Sequence, residues 1–276
     1  MAHPNKSLRH WLVAAICCGL AVGSVGIPVN AGGVFFTPVA ESLGVLRGTF
    51  SMHATLTLIG TAVISLFMPA FMRKYPLKLL LFVGVTMAVG STIMMGAARS
   101  LPIFFILGTL RGVGAGLFSM VPVTMILNEW FEKHHGLVTS VVFSFTGVAG
   151  AVFSPLLAKL IESVGWQTAY IVMGLLMLAA CAPALLFSFS LQPQKNGFLP
   201  YGDTIGTEEK NNTSRQPVQT GEIQSSVFFL LLGFGVLHTA ITGIPQHFPG
   251  YAETIRYGTA VGGVMLSAAM LGNIGF

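Results

Sequence analysis

The sequence predicts an all-α polytopic membrane protein, and three observations carry the prediction. Of 276 residues, 53% are hydrophobic and only 8% are charged, where a soluble domain carries about 25% charged residues. Apolar runs of about 18–25 residues, long enough to cross a bilayer as helices, recur along the chain. The basic residues fall at the edges of those runs, so the net charge of +5 says little for nucleic acid as a partner.

Taken in order, the runs predict spans near 10–34, 48–71, 77–97, 102–127, 136–160, 167–191, 225–246 and 259–276. Lys6 and Arg9 precede the first run as in a signal peptide. That run is too long and others follow, so it reads as a transmembrane helix. Alternate connectors carry Lys6 and Arg9, then Arg73, Lys74 and Lys78, then Lys133, then Lys195, Lys210 and Arg215. The opposite side carries Arg47, Arg99, Lys159 and Arg256. This bias predicts a multi-pass protein of the inner (plasma) membrane with its N-terminus in the cytoplasm. Trp11, Trp130 and Trp166 fall at span ends, where an aromatic belt belongs. Cys17, Cys18 and Cys181 lie in apolar runs without metal-ligand spacing and read as small apolar residues.

Residues 192–224 are rich in Lys, Asn, Gln, Thr, Glu and Pro and read as a flexible cytoplasmic linker with short helical pieces. On that side the glycosylation patterns at Asn211 and Asn212 carry no meaning. After the linker the chain echoes itself. At an offset of 212 residues Phe36 meets Phe248, Ala40-Glu-Ser-Leu43 meets Ala252-Glu-Thr-Ile255, and Ile59-Gly60 meets Leu271-Gly272. These matches predict a parallel repeat of six-helix halves, of which the second is cut after two helices. The expected organisation is a six-helix bundle over 1–191, the linker over 192–224, and the first two helices of an incomplete second bundle over 225–276. Those two helices, without their natural partners, are expected to pack poorly.

The stretch most suggestive of function is Leu107-Gly-Thr-Leu-Arg111-Gly-Val-Gly-Ala-Gly116, inside the fourth span. Arg111 is the one charge placed deep in hydrocarbon. A central arginine costs about 2.5–3.5 kcal/mol on insertion scales, so it faces a bundle interior or a wet cavity. The glycines after it let a helix or ligand approach the backbone. Every acid falls in a connector or at a span end, so no buried carboxylate is expected as a proton or sodium site. A guanidinium fork suits carboxylates, which points to an anionic or polar neutral solute. Asn30, Thr146, His238 and Thr242 complete the candidate binding set. His238 lies on the seventh span, the repeat of the first. His53, near the end of the second span, reads as structural or interfacial, and His134 and His135 as solvated loop residues. Pro28, Pro122 and Pro155 interrupt spans and predict kinks.

Over essentially its whole length the chain resembles the major facilitator superfamily. The resemblance is carried by Trp130-Phe-Glu-Lys133 before His134-His-Gly136, by Gly147, Gly150 and Pro155 in the fifth span, and by Gly165-Trp-Gln-Thr-Ala-Tyr170. With Gly197-Phe-Leu-Pro-Tyr-Gly202 in the linker, these motifs resemble the branch of monocarboxylate porters and oxalate/formate-type exchangers. The family's loop between helices two and three runs G-x-x-x-D-R/K-x-G-R/K-R/K. The matching stretch here is Pro69-Ala-Phe-Met-Arg73-Lys74-Tyr-Pro76-Leu-Lys78. The resemblance implies a gating loop containing Lys74 and Lys78. The family's acid is replaced by Arg73, and the family's glycines by prolines.

Together these readings predict a secondary transporter that moves a small organic anion, such as a mono- or dicarboxylate, by alternating access. A coupling proton or an exchanged anion is its expected second partner. The alternatives are a solute-sensing membrane protein and a non-transporting membrane fragment. An enzyme is not expected: no Ser/His, paired-acid or H-E-x-x-H arrangement occurs. No cofactor, metal or nucleic acid is expected either.

Overall fold

Proline and glycine set where the helices of this chain start, stop and change register. The structure is a computed structural model that describes residues 4–187, 189–196, 198–201 and 226–272. Among the described residues, six helical segments are long and apolar enough to cross a membrane.

The first span, Leu8–Leu43, is composite. Helix α1 (Pro4–Ala21) opens into a π-helical turn at Val22–Asn30, tightens to 3₁₀ at Gly32–Phe35, and resumes as α2 (Phe36–Leu43). Pro28 sits inside the wide turn. It has no N–H to give the helix, and a widened register accommodates that loss. Helix α3 (Arg47–Lys74) stops at Tyr75, whose ψ of 149° is the extended backbone that a following proline imposes. Pro76 then caps α4 (Leu77–Met95). The fourth span is broken into α5 (Leu101–Gly116) and α6 (Met120–Trp130). Helix α7 (His135–Val164) is separated from α8 (Trp166–Leu186) by Gly165, at φ 86°, a conformation few side chains tolerate. Beyond the linker come α9 (Ser226–Gly243), a 3₁₀ turn at Ile244–His247, α10 (Phe248–Thr254) and α11 (Gly258–Gly272).

The internal repeat is visible in the backbone. The 3₁₀ turns at Gly32–Phe35 and Ile244–His247 stand at the same 212-residue offset as the sequence matches. Each leads into a short helix, and the two helices end in the same corner. Val45 N donates to Ala40 O at 3.0 Å, and Tyr257 N donates to Ala252 O at 2.9 Å. Both corners turn on a residue at φ 64°, Gly44 in the first and Arg256 in the second.

Packing of the last helices differs from the expectation for half of them. Helix α11 lies tightly along α7: Ser267 Oγ donates to Ala151 O at 2.6 Å, and Ala260 N donates to Glu162 Oε1 at 2.9 Å. A Cβ on Gly263 would stand 3.1 Å from the Ala158 Cβ, so the two backbones are close. Helix α9 does leave large apolar side chains uncovered, among them Val227, Phe229, Leu230 and Leu231.

The stretch expected to be a flexible linker begins as an attached strap, which corrects that reading for its first residues. Pro193–Asn196 form a 3₁₀ turn. Tyr201 N donates to Trp130 O at 2.8 Å, and Tyr201 O accepts from Glu132 N and Lys133 N. His10 Nε2 donates to Leu199 O at 2.8 Å, with its ring edge-on to Trp130, Phe131, Phe198 and Tyr201. The Arg9 guanidinium stands 4.5 Å over the Phe198 ring. These contacts lock the start of the strap onto the ends of α1 and α6.

Candidate functional site

The site is built on a glycine stripe. Gly108, Gly112 and Gly116 recur every fourth residue along one face of α5 and meet α3. A Cβ at Gly108 would lie 2.7 Å from His53 O, one at Gly112 would overlap the Thr57 carbonyl, and one at Gly116 would lie 2.7 Å from the Ile64 Cβ. On the other side, a Cβ at Gly114 would stand 2.7 Å from Ala88 N of α4. Hydroxyls tie the seam: Thr57 Oγ1 donates to His53 O and Gly108 O, both at 2.9 Å, and Thr61 Oγ1 reaches Gly112 O at 3.1 Å. Helix α5 is thereby gripped between α3 and α4, and Arg111 is held at fixed depth.

Arg111 is 5% exposed. Its guanidinium contacts Thr57 Oγ1 at 3.3 Å and Met95 Sδ at 3.9 Å, both weak partners for a cation. Its Nε is buried with no acceptor, and no acid among the described residues pairs with it. An ionised group in such surroundings calls for a counter-charge or a strong acceptor.

Two cavities meet at this guanidinium. Toward the Arg47 end of the bundle is a narrow cleft of about 20 Å³, lined by His53, Tyr170, Phe35, Phe36, Met173 and Gln246. That is room for about one water-sized body. Gln246 comes from beyond the linker, so both parts of the chain border the cleft. Toward the Trp130 end is a cavity of about 530 Å³, walled by Ser24, Thr61, Ser65, Ser119, Met120 and Met177. Its size falls within the range of small-molecule sites, and its lining, mostly apolar with a few polar groups, is typical of them.

His53 is 2% exposed, and its Nδ1 donates to Phe50 O at 2.7 Å. With that proton committed, Nε2 of the neutral ring is an acceptor. The ring is flanked by Phe36, Phe50 and Phe104. His53 and Tyr170, neither in the sequence-derived set, thus join Arg111.

The other candidates lie elsewhere. Asn30 Nδ2 donates to Thr146 O at 2.9 Å, and Thr146 Oγ1 donates to Phe143 O at 2.7 Å. Asn30 and Thr146 tie the π turn to α7 and do not line either Arg111 cavity. The side chains of His238 and Thr242 lie outside the described residues. Lys74 ends α3 with its Nζ 5.5 Å over the Tyr75 ring. Lys78, in the first turn of α4, borders a separate cavity with Arg73.

At the Arg47 end the parts of the chain before and after the linker are in contact. Arg47 Nη2 donates to His247 O, and its guanidinium fills the space above Gly250. The backbone at Gln246 packs on Gly33, where a side chain would not fit.

Comparison with known proteins agrees with this architecture. The family model described as Major Facilitator Superfamily matches residues 11–276. An "Uncharacterized MFS-type transporter YcxA" of Bacillus subtilis (strain 168) is 23% identical over 66% of the chain and 45% of its own length. Human "Monocarboxylate transporter 7" is 25% identical over 61% of the chain and 32% of its own length. The "Oxalate:formate antiporter" of Oxalobacter formigenes is 26% identical over 52% of the chain and 34% of its own length. The chain thus spans a third to a half of these relatives.

Proposed function

The chain belongs to the major facilitator superfamily, and from that membership we propose that it is the substrate-holding part of a secondary transporter for a small organic anion. In this reading residues 1–191 form the N-terminal bundle, 192–224 the linker, and 225–276 the first two helices of the second bundle. The Trp130 end faces the cytoplasm, in keeping with the excess of Lys and Arg in the connectors at that end.

One observation carries the substrate reading: Arg111 is buried, borders a cavity of about 530 Å³, and has an Nε without an acceptor. A carboxylate supplies both the charge and the paired acceptors that a guanidinium fork takes. Thr57 contacts the same guanidinium, His53 and Tyr170 border the cleft beside it, and His238 and Thr242 are assigned to the same site. Asn30 and Thr146 act from behind the wall, tying the π turn that carries Pro28 to α7. The relatives named for monocarboxylates and for oxalate and formate support the class. The large cavity on one side of Arg111 and the nearly filled cleft on the other suit an inward-facing stage of alternating access. Lys74 and Lys78 belong to the loop that gates that face, and a coupled proton or an exchanged anion balances the charge.

The test is uptake of radiolabelled mono- and dicarboxylates by proteoliposomes holding the intact protein, normalised to folded protein. Arg111→Lys keeps the charge without the planar fork, and Arg111→Gln removes both. Normalised uptake is expected to fall from wild type to Lys to Gln. Unchanged uptake in the Gln variant makes Arg111 a packing residue and ends the anion reading. Saturable binding without uptake favours a solute sensor.

A further inference from the structure

We infer that the pocket between the α3–α4 loop and the segment after α8 holds the phosphate headgroup of an anionic glycerophospholipid. The pocket has a volume of about 470 Å³. Arg73 and Lys78 stand on its rim, Met72, Leu77 and Phe189 are buried in its floor, and no acid is among its lining residues. Its far wall is held in place. Ser190 O accepts from Trp130 Nε1 at 3.0 Å, and Ser190 Oγ donates to Gln192 O at 2.6 Å.

Charge and depth select the occupant. Arg73 stands where the resembling family has an acid, so the loop carries Arg73, Lys74 and Lys78 with no internal neutraliser. Lys74 is turned onto the Tyr75 ring, which leaves Arg73 and Lys78 to share one anion. Helix α3 has 28 residues and is about 42 Å long, against about 30 Å of hydrocarbon. The Lys74 end therefore stands at headgroup level. Beside the pocket, Leu79, Phe82 and Val83 of α4 and Leu186 and Phe187 at the end of α8 are exposed and apolar. A ligand with a phosphate on the cations and acyl chains along these side chains uses both features. A free phosphate uses only the first.

The test is native mass spectrometry of the intact protein in detergent with phosphatidylglycerol, phosphatidylcholine or inorganic phosphate. Wild type is expected to retain one phosphatidylglycerol in preference to phosphatidylcholine, with millimolar phosphate failing to displace it. Arg73→Gln with Lys78→Gln should weaken retention roughly 10–30-fold, and Arg73→Lys should largely keep it. Equal retention of both lipids by wild type overturns the inference without any variant. So does unchanged retention in the double variant. Displacement by inorganic phosphate makes the pocket a free-anion site instead.

Discussion

Arg47 Nη2 donates to the backbone carbonyl of His247 at 2.8 Å, across 200 residues of chain. The same nitrogen lies 3.4 Å from His247 Nδ1. Burial, and then the charge of Arg47, hold the His247 imidazole below its ordinary range near 6.5. Arg47 comes from α3, and Glu253 on α10 acts on that same guanidinium. Protonating His247 places a second cation against Arg47. Because the contact lowers the histidine's affinity for protons, the closed arrangement is undisturbed above about pH 6.5 and loses stability as pH falls below it.

The Arg47 end should therefore loosen in acid. A cysteine placed at Gly32, which borders the cleft, in a protein lacking Cys17, Cys18 and Cys181, reports this with an impermeant thiol reagent. Labelling, normalised at each pH to that of a fully exposed control cysteine to remove the change in thiolate fraction, is expected to rise several-fold from pH 7.5 to pH 5.5 and to stay flat once His247→Gln is added. A rise of equal size in the Gln background would assign the titration to another group.

The glycine seam makes a sharper demand. Gly112→Ala has no space, because its Cβ would overlap the Thr57 carbonyl, whereas Gly90 on α4 has nothing within 4 Å. Gly112→Ala should destabilise by about 1–3 kcal/mol, and Gly90→Ala should be neutral or slightly stabilising. Thermal unfolding in detergent compares them directly.

The two repeat corners predict opposite responses to removing and adding a side chain at the same backbone angle. Gly44 and Arg256 both sit at φ 64°, where a side chain costs about 1–2 kcal/mol. Arg256→Gly should raise the melting temperature, and Gly44→Ala should lower it. If Arg256→Gly lowers it, a contact of the Arg256 side chain outweighs the backbone strain.

The strap makes a prediction for proteolysis. In the wild type, Phe198 and Tyr201 should resist chymotrypsin. His10→Ala removes the bond to Leu199 O and the ring that Trp130, Phe198 and Tyr201 enclose. Cleavage at Phe198 should then appear. No new cut would mean that the Tyr201 backbone bonds suffice to hold the strap.

The first six spans, the 212-residue repeat and the burial of Arg111 were legible because each follows from composition or from spacing along one strand of sequence. The partners of Arg111 were not. His53 looked peripheral because it lies six residues into α3, but that helix is longer than the hydrocarbon is thick, and α2 folds over its end. Asn30 and Thr146 looked like binding groups because polar side chains stand out in an apolar run. Asn30 is satisfied by a main-chain carbonyl on another helix and Thr146 by one on its own, and neither bond leaves a trace in residue spacing. The strap was hidden by its polar composition. Phe198 and Tyr201, aromatic residues in a hydrophilic stretch, were the signal that it has a surface to rest on.

The first span changes its hydrogen-bond pattern from α to π to 3₁₀ and back between Pro4 and Leu43. A uniform helix can only tilt or bend as a rod. This one carries an extra backbone step that can migrate. Moving the wide turn by one residue would rotate the intervening side chains by about 100° and shift them by about 1.5 Å along the axis, with no unfolding at either end. Pro28 and Val29, which line both Arg111 cavities, lie in that turn, so such a slip would redraw the wall beside Arg111 while α5, clamped by its glycines, stays still. The cavity could then change shape by a screw motion inside one helix, before any bundle rocks against another.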